Sequence, residues 1–249
     1  MARITPAALE ALLIAALEGA GFSAAAAKAL ARQTVLSEEL GQPHLGVGHI
    51  FDYIESAKAG RINGQAVPQV SRPAPTLFLV DGQGGLPQVG FDLVRDELAA
   101  KARELGMVAF LERNATTCGA LGTFVLALAK AGMVAFAGTN GPPLLAGSGA
   151  SQAVYCTNPM AFAAPQAEGP PLLVDQSSSA TAFVNVRAAA ARGEAIPEGW
   201  AIDAQGAPTS DPKAAMEGAL LAFGGARGAN IALMVEVLSA GLTGANWSL

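Results

Sequence analysis

His44 and His49 are the two imidazoles of this chain, with four residues between them. An imidazole titrates near pH ~6.5, so either could pass a proton to a developing oxyanion at neutral pH. Read as metal ligands they have only Asp52 as a nearby carboxylate, and the spacing is not one that zinc sites use. A serine-hydrolase triad would have to recruit one of these histidines, yet the sequence has no G-x-S-x-G elbow. The plain alternative for both is a cap or surface residue near a helix start.

A second kind of chemistry is anion binding by backbone amides. Gly119 is expected to open a helix, which would present the N–H groups of residues 119–121 and the positive helix end to a phosphate. Arg227-Gly228 is expected to open another helix and adds a cation, and Ser177, Ser178 and Ser179 supply hydroxyl donors at a strand-to-helix switch. The alternative is that the serines cap helices and Gly119 is a packing glycine. No G-x-G-x-x-G follows a strand; Gly147-Ser148-Gly149 comes nearest but lacks the third glycine, and no Walker A sequence is present.

The elements that must position these residues can be read from periodicity and punctuation. Thr5-Pro6 combines a capping hydroxyl with proline at the first helical position, and Leu9, Leu12, Leu13, Ala16 and Leu17 follow at helical spacing up to Gly19 and Gly21. Ser23 opens a second helix to about Leu40, and a third is expected from Val47 to Ala59. Short apolar runs at Leu77–Val80, Met107–Leu111, Met133–Ala137, Pro159–Ala163 and Leu172–Asp175 read as strands. Helical stretches at Gly90–Gly106, Gly119–Ala131, Ser179–Arg192, Pro212–Leu221 and Gly228–Ala240 alternate with them or follow. The expected architecture is α/β, with a helical N-terminal cap and a central mixed sheet flanked by helices. The expected division is a helical cap over 1–70, an α/β domain over 71–225, and a C-terminal helical segment begun at 226–249.

Composition narrows the partners. The chain has 249 residues, 51% hydrophobic and 14% charged, enough for a substantial core. A net charge of -5 argues against nucleic acid, which needs a basic face. Mean hydropathy is +0.38, and residues 131–167 carry no charge. That stretch is interrupted by Gly138, Gly141, Pro142, Pro143, Gly147, Gly149 and Pro159, so it reads as loop and buried strand, with no membrane span. Two cysteines, Cys118 and Cys156, make neither a disulfide framework nor a zinc set. The opening residues Met1-Ala2-Arg3-Ile4-Thr5-Pro6 lack the pattern of a secretory leader, and a cytoplasmic protein is expected.

Several segments in order resemble the malate/L-lactate dehydrogenase type-2 family, which includes sulfolactate, ureidoglycolate and cyclic imino acid enzymes and binds NAD(P) without a Rossmann fold. They are Gly46-Val47-Gly48-His49-Ile50-Phe51-Asp52-Tyr53 with Ala59-Gly60-Arg61-Ile62, Gly119-Ala120-Leu121-Gly122, and Cys156-Thr157-Asn158-Pro159-Met160-Ala161. Val174-Asp175-Gln176-Ser177-Ser178-Ser179, Ile196-Pro197-Glu198-Gly199-Trp200-Ala201, Gly206-Ala207-Pro208-Thr209-Ser210-Asp211-Pro212 and Gly224-Gly225-Ala226-Arg227-Gly228 follow. Each piece alone is common; their order and spacing are specific.

The resemblance implies NAD or NADP as cofactor, a small carboxylate substrate and a homodimer; it gives the cap over 1–70 dimer and substrate roles and the α/β domain over 71–225 NAD(P) binding. The reaction it implies first is interconversion of a 2-hydroxy acid and a 2-oxo acid, with cyclic imino acid reduction as the alternative and a non-catalytic ligand-binding homologue as the class-level rival. Carried over residue by residue, the nucleotide segments fall on Thr117, Cys118, Gly119, Ala120 and Leu121, on Asp175, Gln176 and Ser177, and on Ala226 and Arg227, with a substrate carboxylate contact on Thr157. The chain departs from the family at its centre. An adjacent Ser-His pair and a following arginine align with His44, Leu45 and His49; a second family histidine aligns with Thr117 and an acidic relay with Asn185. His44 is therefore the candidate acid and His49 a candidate substrate contact, unless the substrate is an iminium that needs no acid. Family members also continue past Asn246-Trp247-Ser248-Leu249, so the C-terminal end of the family is expected to be missing here.

Overall fold

The computed structural model describes residues 4–249; Met1–Arg3, part of the stretch read for a leader, lie outside the described residues. The chain divides into two compact units, residues 1–135 with 163–172, and residues 136–162 with 173–249.

The first unit begins with α1 (Pro6–Gly19), where the Thr5 hydroxyl accepts from the Ala8 amide at 3.2 Å and Pro6 takes the first turn. Ser23 does the same for α2 (Ala24–Glu39), accepting from Ala26 at 3.2 Å. Leu13, Leu17, Phe22, Leu30 and Val35 close the core between these helices, and the alanines of α2 let α1 approach. Full burial of each such leucine contributes about 1.5–3 kcal/mol. A 3-10 turn at Pro43–Leu45 leads to α3 (Val47–Lys58), which buries Ile50 and Tyr53 in the same core. No side chain at Gly46 caps α3; Glu38 of α2 accepts from the Val47 amide at 2.7 Å instead, and the carboxylate lies where a Cβ on Gly46 would be.

The unit then builds β1 (Gln69–Ala74), β2 (Leu77–Asp81), α4 (Pro87–Leu105), β3 (Ala109–Arg113) and α5 (Gly122–Lys130). The sheet order is β1-β2-β3, with β1 antiparallel and β3 parallel to β2 in the register Leu77↔Ala109 to Asp81↔Arg113. Alternation in β2 buries Phe78 and Val80, and Phe78 packs on Val94 and Leu98 of the crossover helix α4. Because β2 and β3 are parallel, the loops that follow them leave the same end of the sheet. They are stitched by Gly82 N–H to Arg113 O at 2.8 Å, Gly84 N–H to Asn114 O at 2.6 Å and Thr116 N–H to Gly85 O at 2.9 Å.

Wholly or mostly in the second unit are β4 (Ala135–Gly138), β5 (Leu145–Ala146), β6 (Ala153–Tyr155), β7 (Met160–Ala164), β8 (Leu172–Gln176), α6 (Phe183–Arg192), β9 (Ala201–Ile202), β10 (Pro208–Thr209), α7 (Pro212–Glu217), β11 (Ala219–Leu220) and α8 (Ala226–Glu236), the last continued by a π-helical turn at Val237–Gly241. One sheet runs β10-β9-β11-β5-β6 and another β4-β7-β8. Leu145, Val186, Ile196, Leu220 and Ala232 form the core around the larger sheet, with Trp200 and Phe183 packed beside them.

The expected α/β architecture and helical cap are present, with the strands distributed over three sheets. Some element ends differ for local reasons. The helix expected over Pro212–Leu221 stops at Glu217, because Gly218 lies too close to the backbone of Ile202 and Asp203 for any side chain and turns the chain into β11. The helix expected from Ser179 starts at Phe183, since Ser179 forms a β-bridge with Ala222. The uncharged stretch 131–167 holds four strands, but it is not wholly buried: Phe136 is 55% exposed. Among the described residues no helix is long and apolar enough to cross a membrane.

Candidate active site

The glycine loop lies at the carboxyl end of parallel strand β3, the place where open α/β sheets offer loops to ligands. Gly119 does not open the helix, as the sequence suggested; α5 starts at Gly122, and Gly119 sits in the preceding loop with φ +66°. A Cβ there would come within 2.9 Å of the Gln33 Oε1 and 3.0 Å of the Tyr53 hydroxyl. Glycine is thus required twice, by dihedral and by space. Thr117 is exposed, Cys118 half-buried, and Ala120 and Leu121 buried.

The loop carbonyls are occupied from beneath. Gln33 Nε2 donates to Cys118 O at 2.8 Å, to Ala120 O at 3.2 Å and to the Thr123 hydroxyl at 2.8 Å. Gln88 Nε2 donates to Cys118 O at 3.0 Å and also to Gln33 Oε1. The Thr123 hydroxyl donates to Ala120 O at 2.7 Å, and the Tyr53 hydroxyl to Thr117 O at a long 3.5 Å. Burial pushes the Tyr53 phenol well above its ordinary pKa, and the neighbouring Cys118 adds to the shift. By contrast, the amides of Gly119, Ala120 and Leu121 find no acceptor among the described residues.

The two histidines belong to adjoining elements of the same unit. His44 is exposed on the 3-10 turn. His49 is half-buried in the first turn of α3; its Nε2 lies 3.8 Å from Asp52 Oδ2, and its ring centroid is 4.8 Å from that of Tyr53. The His49–Asp52 ion pair would form only with the imidazole protonated.

The remaining candidates are in the second unit. Thr157 O accepts from the Ser178 amide at 2.8 Å, and its hydroxyl lies 3.9 Å from the sulfur of Cys156, whose thiol pKa burial raises. Asn158, next in the chain, is fully buried with φ +37°. Its amide donates to Ala232 O at 2.8 Å and to Glu236 Oε2 at 2.7 Å. Asp175 is half-buried on β8 and Gln176 exposed at its end. Of the three serines offered as donors, Ser178 is committed to Asn158 O at 2.8 Å and Ser179 to Thr181 O at 2.6 Å; Ser177 pairs with the Ser179 hydroxyl at 2.9 Å. Ala226 and Arg227 occupy the first turn of α8, both exposed, after Gly225 at φ +63°. Asn185, at the acidic relay position, donates to the Thr181 hydroxyl at 3.1 Å.

Sequence reasoning missed Gln33, Gln88, Thr123 and Glu38. The signal was available for α2: Gln33, Thr34 and Ser37 interrupt the stripe that Leu30 begins, and polar side chains on a buried face must find partners.

Comparison with known proteins turns this arrangement into a class and then a family. The malate/L-lactate dehydrogenase family profile matches residues 4–249. The chain is 39% identical over 241 residues to the Delta(1)-pyrroline-2-carboxylate/Delta(1)-piperideine-2-carboxylate reductase of Pseudomonas putida, covering 96% of this chain and 71% of that protein. It is 38% identical over 238 residues to the (2R)-3-sulfolactate dehydrogenase (NADP(+)) of Chromohalobacter salexigens, again covering 96% and 71%. The crystal structure of delta1-piperideine-2-carboxylate reductase from Pseudomonas syringae pvar. tomato superposes with a TM-score of 0.97 at 35% identity, over all of this chain and 75% of that one. The protein is an α/β oxidoreductase. It belongs to the malate/L-lactate dehydrogenase family.

Proposed function

We propose that this chain is an NAD(P)H-dependent reductase of small carboxylic acids whose reacting carbon adjoins the carboxylate, with cyclic imino acids as the leading substrates. The observation that carries the cofactor half is the glycine loop: three consecutive amides without an acceptor among the described residues, on a loop whose Cys118 and Ala120 carbonyls are turned to protein donors, suit a phosphate. Thr117, Cys118, Gly119, Ala120 and Leu121 would hold it in the first unit, and Asp175, Gln176, Ser177, Ala226 and Arg227 are the candidates in the second. When bound, a reduced nicotinamide supplies a hydride to the substrate.

The substrate half follows from what the chain lacks at the family's acid position. His44 and Leu45 stand where the family has its Ser-His pair and His49 where it has an arginine, and His44 is an exposed imidazole on a short turn. A protonated cyclic imine accepts hydride at carbon and becomes an amine without any further proton, whereas a ketone develops an alkoxide that needs a donor. The names of the Pseudomonas relatives support the imino acid. Reduction of a 2-oxo acid is the second reading, supported by the sulfolactate dehydrogenase; there His44 would be the acid. In both readings His49 is the candidate substrate contact of the first unit and Thr157 that of the second.

The test is oxidation of NADPH and of NADH against pyrroline-2-carboxylate, piperideine-2-carboxylate and a panel of 2-oxo acids. Turnover of the cyclic imines alone supports the leading reading, turnover of 2-oxo acids alone the second, and turnover of none sinks both. We also propose a homodimer, since Phe136 and Val174 of the β4-β7-β8 sheet expose apolar side chains. A single monomeric species in sedimentation at micromolar concentration would exclude it.

A further inference from the structure

The amides of the glycine loop are aimed by side chains that never reach the surface of the loop. In a trans peptide the C=O and the following N–H point in opposite directions. Turning Cys118 O toward Gln33 and Gln88 therefore turns the Gly119 N–H away from them, and turning Ala120 O toward Gln33 and Thr123 does the same for the Leu121 N–H. One side chain, Gln33, makes both of these contacts. It is fixed in turn: Gln88 donates to its Oε1, its Nε2 also reaches the Thr123 hydroxyl, and Gln33, Gln88 and Thr123 are all buried. They come from three different helices, α2, α4 and α5. A Cβ at Gly119 would come within 2.9 Å of Gln33 Oε1, so only glycine lets the loop lie this close to the glutamine.

We propose that Gln33 is the positioning residue for cofactor binding, holding the peptides at 118–119 and 120–121 with their N–H groups outward, and that Gln88 and Thr123 orient it. The inference rests on the reading that the nucleotide phosphate binds at Gly119–Leu121. Preorganised donors bind an anion without reorganising at the moment of binding, so the contribution of Gln33 falls on affinity and not on hydride transfer.

The experiment compares the native chain with Gln33→Met and Gln33→Glu. Gln33→Met keeps length but has no donor; Gln33→Glu keeps the shape and can accept from Gln88 but presents oxygen to the loop carbonyls. NADPH affinity is followed by fluorescence titration, KM for NADPH and kcat by steady-state kinetics, and folding by circular dichroism and thermal melts. Both variants are expected to bind NADPH about tenfold or more weakly while folded, the size of one lost net hydrogen bond or more. KM for NADPH should rise in parallel and kcat at saturation should change little. Equal affinity in a folded Gln33 variant overturns this inference and leaves the nucleotide reading standing. Failure of the native chain to bind NADPH overturns both. If neither Gln33 variant folds, Thr123→Val, which removes only the hydroxyl between Gln33 and Ala120 O, carries the same comparison, and unchanged affinity there counts against the proposal.

Discussion

Glu236 grips Ser248 twice, accepting from its backbone amide at 2.7 Å and from its hydroxyl at 2.8 Å. The same carboxylate accepts from Asn140 at 3.1 Å and from Asn158 at 2.7 Å, and Glu236 is only 2% exposed. Three side chains and one amide thus depend on a single buried acceptor. Replacing it unpairs the Ser248 amide and hydroxyl and one N–H each of Asn140 and Asn158, whose other N–H groups keep Asn246 O and Ala232 O, and each buried unpaired donor costs about 1–3 kcal/mol. Glu236→Ala should therefore lower the free energy of unfolding by about 3 kcal/mol or more. Urea unfolding curves measure this; a loss under about 1 kcal/mol would mean that water replaces the carboxylate.

Glu112 on β3 is the opposite case. Both carboxyl oxygens are enclosed and neither has a hydrogen-bond partner among the described residues, although the residue as a whole is only half-buried. Burial pushes its pKa up to about 9 from an ordinary 4.5. Between these values the folded protein keeps a proton that the unfolded chain releases, so its stability is full below pH 4.5 and is lost as pH rises toward 9. The slope is at most about 1.4 kcal/mol per pH unit. Glu112→Gln removes this slope; its advantage over the native chain should grow from pH 6 to pH 8 in urea titrations. A constant difference would show that the carboxyl ionises freely.

Arg227 stands exposed in the first turn of α8. If it neutralises cofactor phosphate, Arg227→Glu replaces attraction with repulsion and should weaken NADPH binding by at least about tenfold, more steeply at low ionic strength. Unchanged affinity in a fluorescence titration would remove Arg227 from the binding set.

His44 and His49 separate by their kinetic signatures. For an iminium substrate, His49→Asn should act mainly on KM through the lost carboxylate contact, and His44→Asn should leave kcat nearly intact. For a 2-oxo acid, His44→Asn should lower kcat by about 10²–10⁴-fold, the range of a general acid. An acid limb in the pH–rate profile that persists in both variants would exclude both imidazoles as its source.

The helical cap was legible because its signals are local. Thr5-Pro6 and Ser23 cap α1 and α2 in the structure as the sequence indicated. The strands β5, β9, β10 and β11 were not, since each has two residues and alternation needs more. Gly119 was read as a helix start because glycine opens and closes helices alike; only the three-dimensional closeness of Gln33 and Tyr53 shows why it is glycine. The order of short segments pointed to the family while saying nothing of the residues beneath them. Gln33 and Gln88 lie 55 positions apart, and no spacing rule links such a pair.

The stitching between the loops after β2 and β3 has a practical corollary. Gly82, Gly84, Gly85, Asn114 and Thr116 exchange backbone bonds across the two loops, and Asn114 also donates to Asp81 at 2.8 Å. For protein engineering, residues 81–86 and 114–121 are one cassette. A graft of 117–121 alone would leave the partners of this stitching behind, whereas moving both segments together, with Gln33 and Gln88, keeps the hydrogen bonds of the loop intact.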